Sequence, residues 1–161
     1  MLVISTFIAE NFRLVQAALL VASLGCIVLV VVLVRSGRTG RRVAAVLAAV
    51  SVLCVLGLTL WPDTDPLGEI SCSVDASYFY RDERNIVLFF FPALFSMVAM
   101  RRPLLVFASG IALSVLIEVV QALTPALGRI CDIGDLLANT SGAAAGVLVA
   151  LLVAFGVRRW G

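Results

Sequence analysis

Apolar residues fall along this chain in long runs, without the alternation of a half-buried strand, and polar residues gather between the runs. Runs near residues 14–34, 43–61, 86–100, 103–123 and 136–157 approach the roughly 20 residues an α-helix needs to cross a hydrocarbon core about 30 Å thick. The pattern predicts an all-α polytopic membrane protein, a five-helix transmembrane bundle forming one domain over residues 1–161. The third run, Ile86 to Met100, is short. Arg84 and Asn85 would lengthen it, or the bilayer would thin around it, and a four-span arrangement is the alternative. The first run lacks a basic start and a convincing cleavage site, so it is expected to stay as a helix and not to be removed as a secretion signal. The residues before it, MLVISTFIAENF, suit an interfacial segment or a frayed end equally.

Composition narrows the class further. Hydrophobic residues make up 62% of the chain and charged residues 14%, with a mean hydropathy of +1.13, well above a soluble domain. Little length is left for a separate soluble domain. Twelve arginines with no lysine could suggest nucleic acid, but the net charge is only +2 and the arginines are scattered; nucleic acid is not an expected partner.

The arginines instead predict orientation, because basic residues in short loops are retained on the cytoplasmic side. Arg35, Arg38, Arg41 and Arg42 would fill the first loop, Arg101 and Arg102 the third, and Arg158 and Arg159 the C-terminus. The acidic residues lie elsewhere: Glu10, then Asp63 to Glu83, then Glu118 to Asp135. The N-terminus is therefore expected outside and the C-terminus in the cytoplasm of a bacterial cell, with Trp61 and Trp160 at the two interfaces. In that topology Cys26 and Cys54 are mid-span, while Cys72 and Cys131 share the outer, oxidising side. There they could form a disulfide or remain two thiols.

The candidate chemistry lies between Ser114 and Asn139, where Glu118, Gln121, Arg129, Asp132, Asp135 and Asn139 stand among apolar residues. Polar groups inside a membrane are costly and mark sites or specific pairs. At about 1.5 Å per residue from Pro103, Glu118 sits roughly 20 Å into the fourth span, in the outer half of the bilayer. Ser114, Glu118 and Gln121 share one helix face. Asp132, Asp135, Asn139, Gly142 and Gly146 share another, polar at its top and small below. The small stretch permits close helix packing, and the fourth span is the expected neighbour. Asn85 would complete the cluster, and Pro92 should kink the third span.

Plainer roles are available for some of these residues. Asp132 and Asp135 stand where carboxylates cap a helix N-terminus, and Arg129 where a headgroup anchor would be. Glu118 within a span requires protonation or a partner, with Arg129 or Asn139 the expected one.

The stretches NIVLFFFPALF (85–95), SVLIEVVQ (114–121) and GRICDIGDLLANTSGAAAG (128–146) together resemble the VanZ-like membrane proteins. That family has an Asn-containing start to a Phe/Pro helix, a helix with Glu-x-x-Gln, and Arg-x-x-Asp-x-x-Asp-x-x-x-Asn-Thr-x-Gly opening the last helix. Here these fall on Asn85, on Glu118 and Gln121, and on Arg129, Asp132, Asp135, Asn139, Thr140 and Gly142. Cys131 and the loop carrying Cys72 look like local additions, and the first two spans carry no family signature. The resemblance implies an accessory membrane protein of the kind associated with low-level resistance to the glycopeptide teicoplanin.

Two mechanisms suit the residues. In one, the cluster binds a lipid or lipid-linked headgroup, Arg129 taking phosphate while Glu118, Asp132 and Asp135 serve as acid/base groups or as oxygen ligands for Mg²⁺ or Ca²⁺. In the other, it is an interhelical clamp in a protein that alters the envelope by binding membrane lipids or a membrane protein partner. Transport or a proton relay through Glu118 is a third, weaker reading. No nucleophile motif identifies an enzyme, and the absence of His disfavours zinc.

Overall fold

The computed structural model describes residues 25–62, 72–73, 83–128 and 131–160. Within them the chain is an all-α bundle: α1 (Gly25–Arg35), α2 (Gly37–Thr59), α3 (Glu83–Met100), α4 (Pro103–Leu123) and α5 (Ile133–Trp160). Three of these, α2, α4 and α5, are long and apolar enough to cross a membrane. The predicted first span begins before Gly25, and that part lies outside the described residues.

The exterior is apolar, with Leu53, Leu104, Leu123 and Phe155 among the exposed side chains and Leu104 83% exposed. Such a surface would aggregate in water. Its natural solvent is lipid.

The short third run forms a helix, and that helix is central. At 18 residues it is about 27 Å long, and it contributes Phe89, Ala93, Leu94, Phe95, Met97 and Val98 to the core. It packs on α5, α2 and α4. Enclosed by other helices, α3 needs less length and less hydropathy than a lipid-facing span. It continues as a helix through Pro92, whose missing N–H deprives the Leu88 carbonyl of its helical donor.

Two expectations are corrected. Arg38, Arg41 and Arg42 do not lie in a loop, because α1 ends at Arg35 and α2 starts at Gly37. Arginine is a good helix former, so charge alone does not interrupt the helix. The chain turns at Gly37 (φ 56°), and a Cβ on Gly40 would overlap the Leu33 carbonyl oxygen. The hairpin therefore closes by backbone contact.

The small stripe on α5 is the second correction, for its neighbour is α3 and not α4. A Cβ on Gly142 would overlap the Ile86 carbonyl oxygen, and one on Gly146 the Phe90 carbonyl oxygen. The fourth span meets α5 through a different residue: a Cβ on Gly110 would come 2.9 Å from the Cβ of Ala143. Adjacent positions on α5 thus serve two neighbours.

Helix ends are satisfied by neighbouring helices. Arg41 Nε of α2 donates to the Ala99 carbonyl at the end of α3 (2.9 Å), and Gln121 Nε2 of α4 donates to the Thr59 carbonyl at the end of α2 (2.9 Å). Terminal carbonyls have no intrahelical donor, and in lipid no water replaces one. After α4 come a 3₁₀ turn at Pro125–Leu127 and Gly128 in the left-handed region. Cys131–Asp132 then forms a parallel bridge with Cys72–Ser73, Cys72 opposite Cys131.

Candidate functional site

The α4–α5 seam is built turn by turn in opposite chain directions. Four residues above the Gly110/Ala143 contact on each helix, Asn139 Nδ2 donates to Ser114 Oγ over 2.9 Å, with both residues buried. One turn further, Glu118 and Asp135 both line a cavity of about 820 Å³. Near its end the seam closes through a backbone bond, the Asp132 N–H donating to Glu118 Oε2 (2.8 Å).

That cavity opens among α2, α3, α4 and α5. Asn85, Glu118, Gln121, Asp135 and Asn139 line it, five of the residues singled out from the sequence, together with Thr59 and Arg84. Its apolar wall includes Leu58, Leu88, Phe91 and Ile117. A half-polar recess in an apolar bundle fits an amphipathic ligand, with a few placed polar groups setting its orientation.

The remaining expected residues lie differently. Asp132 is not part of the cavity wall; its Oδ1 accepts from the Gly134 N–H (2.7 Å), which caps the start of α5 and turns its backbone N–H towards Glu118. Of the two partners expected for Glu118, Arg129 falls outside the described residues, and Asn139 donates to Ser114 while Glu118 Oε2 accepts a backbone N–H.

Two amides in the wall are left half satisfied. Gln121 and Asn139 are 5% and 2% exposed, each donates one N–H to a partner, and Gln121 Oε1 and Asn139 Oδ1 are buried with no donor. An orphaned acceptor in a low-dielectric interior costs about 1–3 kcal/mol. Among the described residues, no group of three or more His, Cys, Asp or Glu side chains is placed to hold a metal ion.

Sequence reading missed Thr59 and Arg84 as wall residues. Thr59 stands at a helix end like any interfacial threonine, and its hydroxyl donates to the Val55 carbonyl (2.7 Å), a common way to hide a hydroxyl in a span. Arg84 had a signal, its position beside Asn85 at the start of α3.

The sequence profile of the VanZ/LLP1 family matches residues 26–154, most of the chain. The protein belongs to the VanZ/LLP1 family. Comparison with curated proteins and with solved structures gives no match. The VanZ/LLP1 match includes α1 and α2, which carry no motif of the resemblance, and so covers all four helices that line the cavity. Within the matched residues, Asn85, Glu118, Gln121, Asp135 and Asn139 meet in that one recess, whereas Gly142 sets the distance between α5 and α3.

Proposed function

We propose that the cavity receives the headgroup region of an envelope lipid or lipid-linked intermediate, and that the protein acts by binding it. The observation that carries this reading is the convergence of Asn85, Glu118, Gln121, Asp135 and Asn139 on one recess of about 820 Å³ within an apolar bundle. Glu118, Gln121 and Asn139 bond to neighbouring elements and also line the recess, a combination that suits a binding site held in shape by its own polar contacts.

The proposed setting is a bacterial cytoplasmic membrane with the cavity in the outer half, the N-terminus outside and the C-terminus inside. Supporting it, Arg35, Arg38, Arg41, Arg42, Arg101 and Arg102 fall at the ends of α1 and α3 and the starts of α2 and α4, the end opposite the cavity, as the retention of basic residues on the cytoplasmic side requires. Labelling of reduced Cys72 from the cytoplasmic side only would overturn this orientation.

We also propose a Cys72–Cys131 disulfide tying the outer loop to the start of α5. Supporting it, Cys72 and Cys131 face each other in the parallel bridge, with their Cα atoms as partners, whereas Cys26 and Cys54 are free.

Teicoplanin susceptibility tests the reading in a sensitive Gram-positive host carrying wild type, Glu118→Gln or Asp135→Asn at matched membrane levels. Protection by wild type that is lost in the folded variants assigns the activity to the cavity. Equal protection by all three would move it elsewhere.

A further inference from the structure

The chemistry of the cavity wall restricts which headgroup fits. Gln121 Oε1 and Asn139 Oδ1 are acceptors without donors, on side chains that line the recess from α4 and α5, and Glu118 and Asp135 add carboxyl oxygens to the same wall. Each amide nitrogen already donates one of its two N–H groups, to the Thr59 carbonyl and to Ser114 Oγ, whereas each amide oxygen still lacks a donor. Arg84 and Asn85 add donors to the same wall, so it is the two orphaned amide oxygens that call for a donor on the ligand.

We propose that the ligand is a headgroup bearing N–H or O–H donors, a primary ammonium or glycerol-type hydroxyls, and that the cavity discriminates against the N-methylated counterpart. The proposal rests on the headgroup reading above and adds its chemical class. Both amide oxygens are buried without a donor, on residues that line the recess. A trimethylammonium group carries the same charge but no N–H, and would leave both oxygens unpaired. Cages for such groups are built from several aromatic faces, whereas among the described residues Phe91 is the one aromatic side chain in this wall.

The test is native mass spectrometry of the full chain released from mixed vesicles of phosphatidylethanolamine, phosphatidylglycerol and phosphatidylcholine with identical acyl chains. Retention of the ethanolamine lipid at least about tenfold over the choline lipid is expected if two hydrogen bonds are at stake and the donor is an ammonium; the same preference for the glycerol lipid would identify hydroxyls. Gln121→Met, checked for folding, should reduce the preference while retaining the phosphate-bearing lipids. Equal retention of the choline lipid overturns the donor requirement and leaves the headgroup reading standing. Retention of no lipid overturns both.

Discussion

Asn139 and Ser114 form a buried hydrogen bond, 2.9 Å long, between α5 and α4, one helical turn from the point where Gly110 and Ala143 let the two backbones approach. Polar side-chain bonds between membrane helices contribute about 0.6–1.7 kcal/mol. Ser114→Ala should cost about 1 kcal/mol of unfolding free energy in detergent, and the Ser114→Ala/Asn139→Ala double-mutant cycle should return a coupling of that order. Strictly additive single effects would show that the bond contributes nothing.

Gly142 and Gly146 fix the spacing of α5 against α3, because side chains there would occupy backbone atoms of Ile86 and Phe90. Backbone does not yield as a flexible side-chain tip does. Gly142→Ala should destabilise by about 1–3 kcal/mol, seen as a lower thermal midpoint in detergent. Gly156→Ala, with open space around the new Cβ, should be neutral or stabilising by up to about 1 kcal/mol through helix propensity.

These glycines also show where sequence stopped being informative. Spacing placed Gly142 and Gly146 on one small face, but a small face does not name the helix that packs on it, and α3 rather than α4 takes it. Glu118 and Asn139 were legible because a polar side chain inside an apolar run has no local explanation. Their partners were not, since Ser114 and the Asp132 N–H are ordinary groups until the α4–α5 register brings them opposite. The arginines were read as a loop because charge ends a span in hydropathy, although it does not end a helix.

Arg101 ends α3 in the left-handed region (φ 58°), with its N–H bonded to the Met97 carbonyl (2.9 Å). That C-terminal position usually holds glycine, and a side chain there costs roughly 1–2 kcal/mol. Arg101→Gly should therefore raise the thermal midpoint relative to Arg101→Gln, which removes the charge but keeps the Cβ. A lower midpoint for the glycine variant would mean that the arginine side chain outweighs the backbone cost.

The proposed Cys72–Cys131 disulfide closes a long loop, for which a cross-link contributes about 2–4 kcal/mol by restricting the unfolded chain. Non-reducing electrophoresis of alkylated protein should show a faster form that disappears on reduction and in Cys131→Ser. If Cys131 alkylates fully in unreduced, unfolded protein, the linkage is absent.

Glu118 separates a binding role from a structural one. Its Oε2 accepts the Asp132 N–H, and Asp132 in turn caps α5, so the first turn of α5 is held to α4 through this carboxyl. Glutamine keeps an oxygen at the end of a side chain of the same length, whereas leucine offers none and would leave a half-buried backbone donor without a partner. Glu118→Leu should lose about 1–3 kcal/mol, while Glu118→Gln should stay within about 1 kcal/mol of wild type by thermal unfolding in detergent. Retention of the donor-bearing lipid should nevertheless weaken in Glu118→Gln, because a neutral amide oxygen is the poorer acceptor. A glutamine variant as stable as wild type that holds the lipid equally well would confine Glu118 to the seam and leave the ligand to Gln121 and Asn139.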